Sequence, residues 1–331
     1  MRLLVTGGAG YIGSHFVAAA LDQGLREIVV VDDLSTGLRR RIPQGVELQE
    51  IDVAADSAPE RLARLMADRR IDAVIHFAAK KAVGESVAQP EVYYRANIGA
   101  TVHLLSAMRE AGVDTMIFSS SAAVYGEPVE PVVFEDTPCR PINPYGQSKH
   151  ISELALQNAV TAWGLRAVSL RYFNVAGARD SVLADTTTTN LMPAIRDVIT
   201  RGDRLAVFGD DYPTPDGTCV RDYIHVLDLV DAHLVALRQL GPDSAPGLRT
   251  YNVGTGRGHS VLEVVEAFRR QPGVSLDHDL RERRPGDPAA LTADVGRIDR
   301  DLDWRSRYAL DDIVASVVEH PPTGVDPHDG S

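Results

Sequence analysis

The sequence predicts an α/β protein, a doubly wound parallel sheet of the Rossmann type joined to a smaller mixed α/β lobe. Short apolar runs alternate with helix-length segments through the first half, and the first junction is the glycine turn Gly7-Gly8-Ala9-Gly10. After Asn174 that regularity fails, so a second lobe is expected there.

Leu-Leu-Val-Thr at 3–6 reads as a strand, stopped by glycine, and the apolar pattern of 11–23 as the helix that follows it. Further strands are expected at 27–31, 46–50, 73–77, 116–119 and 167–172, and further helices at 59–68, 93–111 and 144–163. The last helix carries its own start signal, Asn143 as N-cap and Pro144 at the first position. Residues 177–190 form a polar loop, and later elements are short and separated by Gly, Pro and Asp clusters. The expected division is a dinucleotide-binding domain over 1–174, a substrate-binding lobe over 175–320 and a flexible tail over 321–331. Apolar runs at 223–226 and 251–253 are candidates to return to the main sheet.

With 331 residues, 44% of them hydrophobic, the chain can bury a large core. Its net charge of -12 argues against a nucleic-acid partner, because phosphate binding draws on a basic surface. Cys139 and Cys219 are too few and too far apart for a disulfide framework or a metal-ligand cluster, so no metal is expected. Met1 leads straight into the first strand and no apolar stretch is long enough to span a bilayer, so the expectation is a cytoplasmic protein with no membrane partner.

The turn from Gly7 to Gly13 lies between a strand and a helix, where small residues let the backbone approach a pyrophosphate at the positive end of the helix. Asp32 ends the second strand 19 residues beyond Gly13, where a carboxylate accepts from a ribose diol and repels a 2'-phosphate. NAD is therefore expected over NADP, with Asp33 as the alternative ribose contact. Arg39, Arg40 and Arg41 are read as a solvated charge run.

Tyr145 and Lys149 share one helix face, and Ser119-Ser120-Ser121 closes a strand that points into the same cleft. A phenol with a neighbouring ammonium, beside a bound dinucleotide, is an apparatus for moving a proton from a carbinol as its hydride leaves. The charges of lysine and nicotinamide are expected to bring the phenol down toward the working range.

Several further segments narrow this reading: His76-Phe77-Ala78, 81–86, 119–126, Arg171-Tyr172-Phe173-Asn174, Asn190-Leu191-Met192-Pro193 and 220–226. With the glycine turn and the Tyr145/Lys149 pair, they make the chain resemble the UDP-glucose/UDP-galactose 4-epimerase family of extended short-chain dehydrogenases/reductases, from residue 1 to about Trp304. The resemblance implies that Ser121 bridges, Tyr145 is the acid/base and Lys149 its electrostatic partner. The candidate NAD-binding set is then Gly7, Gly10, Tyr11, Ile12, Gly13, Asp32, Asp33, Asp52, Val53, Phe77, Ala78, Lys81, Asn97, Ser119, Tyr145, Lys149 and Tyr172. The candidate UDP-sugar set is Ser121, Asn174, Asn190, Leu191, Arg221, Tyr223, Arg284, Asp287 and Leu291. Arg221 and Arg284 are the residue type that clamps a diphosphate. The family also pairs the helices at 93–111 and 144–163 across a homodimer.

Three departures bear on the sugar: Ala123 replaces a threonine of several relatives, 178–189 is shorter than usual, and Leu291 stands where relatives vary from Tyr to Cys. The implied reaction is interconversion of UDP-glucose and UDP-galactose through a 4-keto intermediate. Another UDP-sugar, such as N-acetylglucosamine, a pentose or a uronate, is the alternative substrate. A 4,6-dehydratase needs an Asp/Glu pair after the bridging hydroxyl, where this chain has Ala122 and Ala123. A dinucleotide-sensing protein on this fold is the non-enzymatic alternative, opposed by the intact Tyr145/Lys149 pair.

Overall fold

The computed structural model describes residues 1–241, 244–284 and 288–323. Its centre is a seven-stranded sheet, all of whose pairings are parallel. The strands are β1 (Arg2–Thr6), β2 (Glu27–Asp32), β3 (Glu47–Glu50), β4 (Ala73–His76), β5 (Thr115–Ser121), β7 (Arg166–Tyr172) and β11 (Gly247–Val253), in the order β11-β7-β5-β4-β1-β2-β3. The order reverses between β1 and β4, and the crevice beyond that switch point is where open α/β sheets bind ligands.

Both faces of the sheet are covered, so successive side chains of one strand enter different cores. Leu3 and Val5 pack with Phe16 of the helix Tyr11–Asp22 and with Leu229 and Leu234 of the helix Val226–Gln239. Leu4 joins Leu62, Leu104 and Leu156 on the opposite face.

A second, five-stranded sheet holds β6 (Val132–Val133), β8 (Asn174–Ala176), β10 (Val220–His225), β12 (Gly258–Ser260) and β14 (Ala290–Ala293). A separate parallel pair is formed by β9 (Arg204–Phe208) and β13 (Asp277–Arg281). The run at 251–253 does join the main sheet, as the end of β11 beside β7. The run at 223–226 does not: 223–225 pair with β8 in the second sheet and Val226 begins a helix.

One expected helix is also altered. The segment 93–111 divides into the end of a short helix Pro90–Tyr93, a π-helical turn Tyr94–Gly99 and the helix Ala100–Ala111. The widened turn lies where Asn97 bonds two other elements, a common setting for π geometry. Among the described residues no helix is long and apolar enough to cross a membrane.

Among the described residues four imidazoles are buried: His15, His225 and His233 are pushed down to about 4 and His76 to about 3, in each case chiefly by burial. Their folded values lie below the unfolded value of 6.5, so the unfolded chain binds more protons as the pH falls through that window. Stability is then full above pH 6.5 and lost toward pH 4, by roughly 3 kcal/mol per imidazole at the acid end. Urea midpoints measured from neutral pH to about pH 4 are expected to fall, with a His76→Gln variant showing a slope shallower by about one proton. A flat midpoint over this range would exclude the buried neutral imidazoles.

Candidate active site

The cofactor cradle begins where β1 ends. Gly7 has φ +71°, and a Cβ there would stand 2.5 Å from the Ala78 nitrogen. The absence of that Cβ lets the glycine turn lie against the loop after β4, which carries Phe77, Ala78 and Lys81. Gly10 precedes the helix Tyr11–Asp22 with no side-chain cap, so the first-turn N–H groups of Tyr11, Ile12 and Gly13 are directed at the crevice without an internal side-chain acceptor.

Asp32 lies at the C-terminal end of β2, mostly buried, and is already engaged. One carboxylate oxygen accepts from the Ala9 N–H and the other from the Leu34 N–H, both at 2.9 Å. Burial pushes this carboxyl up, and those two bonds oppose the rise. Asp32 therefore ties the glycine turn to the end of β2. Asp33 is exposed and one of its oxygens is committed to the turn at Ser35. Asp52 is exposed and closes a turn onto Ala54, while Val53 is buried against the second core.

The residues present fit a dinucleotide: a cradle that a Cβ would fill, an uncapped helix start and a carboxylate at the second strand end. Asn97 holds this cradle from behind, accepting from the Lys80 N–H at 2.8 Å and donating to the Ser148 hydroxyl at 2.9 Å. Lys81 reaches the other wall, 4.0 Å from Asp185 and 5.9 Å above the centre of the Tyr11 ring.

The helix carrying Tyr145 and Lys149, Pro144–Trp163, begins as expected, with the Asn143 side chain accepting from the Gly146 N–H at 2.9 Å. Gly146 permits its close seating: a Cβ there would stand 2.4 Å from the Ala123 carbonyl oxygen, in the short turn that follows β5. That contact brings Tyr145 to Ser121, whose hydroxyl bonds the phenol and accepts from the Ala123 N–H. Lys149 donates to the Ser119 carbonyl oxygen at 2.8 Å, above the ring of Phe118. Tyr145, Lys149, Ser119 and Ser121 are all buried.

The electrostatics of this trio differ from the expectation. The Tyr145 phenol is raised, because burial outweighs the Ser121 bond. Lys149 is lowered to about 7, because burial outweighs the pull of Glu153. Packing that dries the site destabilises both charged forms, so Lys149 alone does not lower the phenol.

Ser119 also bonds the His233 Nε2 at 2.9 Å, while His233 Nδ1 contacts the Leu229 carbonyl oxygen at 2.8 Å. Nε2 then accepts from the serine and Nδ1 carries the proton. Phe77 packs on the His233 ring, and the Tyr172 phenol bonds Ser119 beside Tyr145.

The second sheet assembles the candidate substrate wall by register. Asn174 is paired with Tyr223, and Arg221 with Leu291, across adjacent strands. Leu291 packs against Ala122, Val124 and Phe173, next to the Ser121 turn. Asn190 and Leu191 stand at the start of the helix Leu191–Arg201, and the Asn190 amide donates to Asp185 at 3.3 Å. Arg284 lies over the Phe208 ring, 3.9 Å from its centre. Asp287 falls outside the described residues.

Arg41 corrects the reading of 39–41 as a solvated run. It is 3% exposed and donates to the Ala184 carbonyl oxygen of the 177–190 loop, whereas Arg39 and Arg40 remain at the surface. Sequence reasoning also passed over Asp185, His233, Phe208 and Glu153. His233 and Phe208 meet partners far away in the chain, Asp185 reaches Lys81 across it, and Glu153 continues the four-residue spacing of Tyr145 and Lys149 to meet Arg171 on a neighbouring strand. The Tyr11 hydroxyl likewise has a long-range task, donating to the Gly177 carbonyl oxygen at 2.5 Å.

Comparison with known proteins gives a consistent result. Residues 3–254 match the model of the NAD dependent epimerase/dehydratase family. The chain is 47% identical over 322 residues to the UDP-glucose 4-epimerase of Azospirillum brasilense, covering 96% of this chain and 91% of that protein. Its structure superposes on the Stenotrophomonas maltophila UDP-glucose-4-epimerase, crystallised with NAD and formylated UDP-arabinopyranose, with a TM-score of 0.90, 41% identity and coverage of 96% and 97%. The Bifidobacterium longum UDP-glucose 4-epimerase, in complex with NAD+ and UDP, gives a TM-score of 0.89 at 39% identity with the same coverage.

Proposed function

The chain belongs to the NAD dependent epimerase/dehydratase family, and from that premise we propose that it is a UDP-glucose 4-epimerase, interconverting UDP-glucose and UDP-galactose through a 4-keto sugar. The observation that carries this reading is the buried Ser121, Tyr145 and Lys149 cluster, followed by alanines at 122 and 123. A proton carrier is present, and no acid adjoins it to drive the elimination of water.

When bound, NAD supplies the hydride acceptor and a positive charge that favours the phenolate. Tyr145 takes the proton of the sugar 4'-hydroxyl, with Ser121 bridging the two oxygens. Lys149, anchored on the Ser119 carbonyl, contributes a second positive charge on the same side. Arg221, Arg284 and the start of the helix Leu191–Arg201 retain the nucleotide while the ketose presents its other face. Tyr145 then returns the proton to the same oxygen.

A homodimer is part of the proposal. The helices Ala100–Ala111 and Pro144–Trp163 lie side by side and expose Val102, Ile151 and Leu154 at 48%, 40% and 51%. Such an apolar strip suits an isologous contact. Light scattering is expected to give twice the chain mass, and Leu154→Arg to shift it toward the monomer; a wild-type monomer removes this part of the proposal.

Purified protein incubated with UDP-galactose is expected to yield UDP-glucose without added reductant. Tyr145→Phe should retain NAD through gel filtration while turnover falls by about 10²–10⁴-fold. Near-wild-type turnover would sink the assignment of the proton carrier.

Leu291 sets the expected breadth toward the sugar. A leucine beside the Ser121 turn is shorter than tyrosine, so some turnover of UDP-N-acetylglucosamine is expected as well. Leu291→Tyr should reduce that turnover relative to UDP-glucose by about 10-fold or more, with the Tm unchanged. Leu291 is only 8% exposed, so a parallel loss of both activities together with a lower Tm would identify overpacking in its place.

A further inference from the structure

The catalytic helix presents a third buried ionisable side chain in line with its first two. Tyr145, Lys149 and Glu153 recur every four residues, so they lie along one face of the helix Pro144–Trp163, and all three are buried. The Glu153 carboxylate is held from the neighbouring sheet. Arg171 on β7 donates its Nε to Oε1 at 3.0 Å and its Nη2 to Oε2 at 2.7 Å, and the Ser169 hydroxyl donates to Oε1 at 2.8 Å. The other end of the guanidinium bonds the Tyr125 hydroxyl and the Glu135 carbonyl oxygen. Tyr125 in turn donates to Asn252 on β11 at 2.6 Å. Every branch of this network converges on one carboxylate a single helical turn from Lys149.

We propose that Glu153, fixed by Arg171, is a positioning residue for the proton-transfer pair: it keeps Lys149 charged inside a dry site, and through Lys149 it governs the ionisation of Tyr145. The proposal rests on the epimerase reading for the substrate, but not for the chemistry of the pair. A buried ammonium loses most of its hydration, and among the described residues Lys149 has a carbonyl oxygen and a ring face to replace it. Glu153, one helical turn on, is a full negative charge whose field opposes the fall that burial imposes on Lys149. Burial would also raise Glu153 itself, yet bonds from His150 and Arg171 bring it to about 2, so it stays ionised at every working pH.

The other groups facing this stretch do not supply the same charge. His76, across on β4, is lowered to about 3 by burial and is neutral. Tyr172 and Tyr125, on the sheet side, and Tyr93, facing Tyr145 and bonded to Glu85, are all raised by burial and stay protonated. Cys139 is raised as well, and with His150 it lies within 4.8 Å of the carboxylate. His150 and Arg171 are therefore the neighbours whose contacts with the carboxylate must be separated experimentally.

Glu153→Gln, in the enzyme carrying its bound NAD, removes the charge while keeping the shape. Its kcat profile against pH is expected to move its acid limb upward by about one unit, equivalent to about a 10-fold loss at neutral pH, with KM for UDP-galactose within about 2-fold. The near-ultraviolet absorbance of the Tyr145 phenolate, taken as the difference from a Tyr145→Phe enzyme, should titrate upward by the same amount. That readout needs no substrate, so it still decides the proposal if UDP-galactose is not turned over, an outcome that counts against the epimerase reading alone. A His150→Gln background should leave the Glu153→Gln shift in place. If the single variant leaves Arg171 unpaired and does not fold, Glu153→Gln with Arg171→Gln removes both charges and is expected to shift both titrations in the same direction by a smaller amount, because the opposing Arg171 charge is lost with the carboxylate. Glu153→Asp should return the profile most of the way to wild type. Wild-type titrations in either folded charge-removing variant, or a loss of turnover that follows Tm with both titrations unmoved, would overturn the proposal and leave Glu153 a structural anchor.

Discussion

The first turn of the helix Pro144–Trp163 touches the turn after β5 through a residue with no side chain, and most of the candidate site depends on that approach. With Gly146 against the Ala123 carbonyl, Tyr145 meets Ser121, and four residues after Tyr145 Lys149 finds the Ser119 carbonyl. A larger residue at 146 would drive the helix outward by the 1 Å or so that separates a hydrogen bond from none. The remainder of the helix holds the position from below, through Leu156 and Ala159 in the core and through Glu153 on Arg171. The reactive end is thus fixed by steric contact and the far end by charge.

The same economy joins the two lobes. Gly177 has φ +90° and packs against the His225 ring, while its carbonyl accepts from Tyr11 of the first helix. The loop that follows returns to the dinucleotide side at Asp185, which is buried, lies 4.0 Å from Lys81 and binds Asn190. One carboxylate therefore faces a candidate cofactor ligand and holds a candidate substrate ligand. Arg41 adds a third tie, from the β2 side onto Ala184. The candidate cofactor and sugar walls are mechanically continuous through this loop.

What was legible in the sequence was what is local. The glycine turn, Asp32, the Asn143 cap and the Tyr145/Lys149 spacing are each set by neighbours a few residues away, and the strand and helix pattern of the first half has the periodicities of burial on two faces. The rest depended on pairings across the chain. Arg41 looks like one of three surface arginines until the loop at 184 is folded over it. His233 sits in an ordinary helical pattern, and only the fold brings it to Ser119, 114 residues away. The π-helical turn at Asn97 could not be read from periodicity, because its cause is the bonding of one amide to Lys80 and Ser148. Position 223 was misplaced for a related reason: an apolar run says that a strand is buried, not which sheet buries it.

These features carry a cost that the cofactor is suited to offset. Burial raises Tyr145 and Asp32 and lowers Lys149, so each is held in an environment that disfavours its charged form. Such a site subtracts from the stability that the two cores supply, as expected where function and folding make opposed demands on the same residues. A ligand that brings hydroxyl groups to Asp32 and positive charge to Tyr145 relieves these unfavourable terms only in the folded state. By mass action, a cofactor present at about 1,000 times its Kd adds about 4 kcal/mol to folding. Bound NAD therefore adds to the stability of the folded state as well as supplying the hydride chemistry.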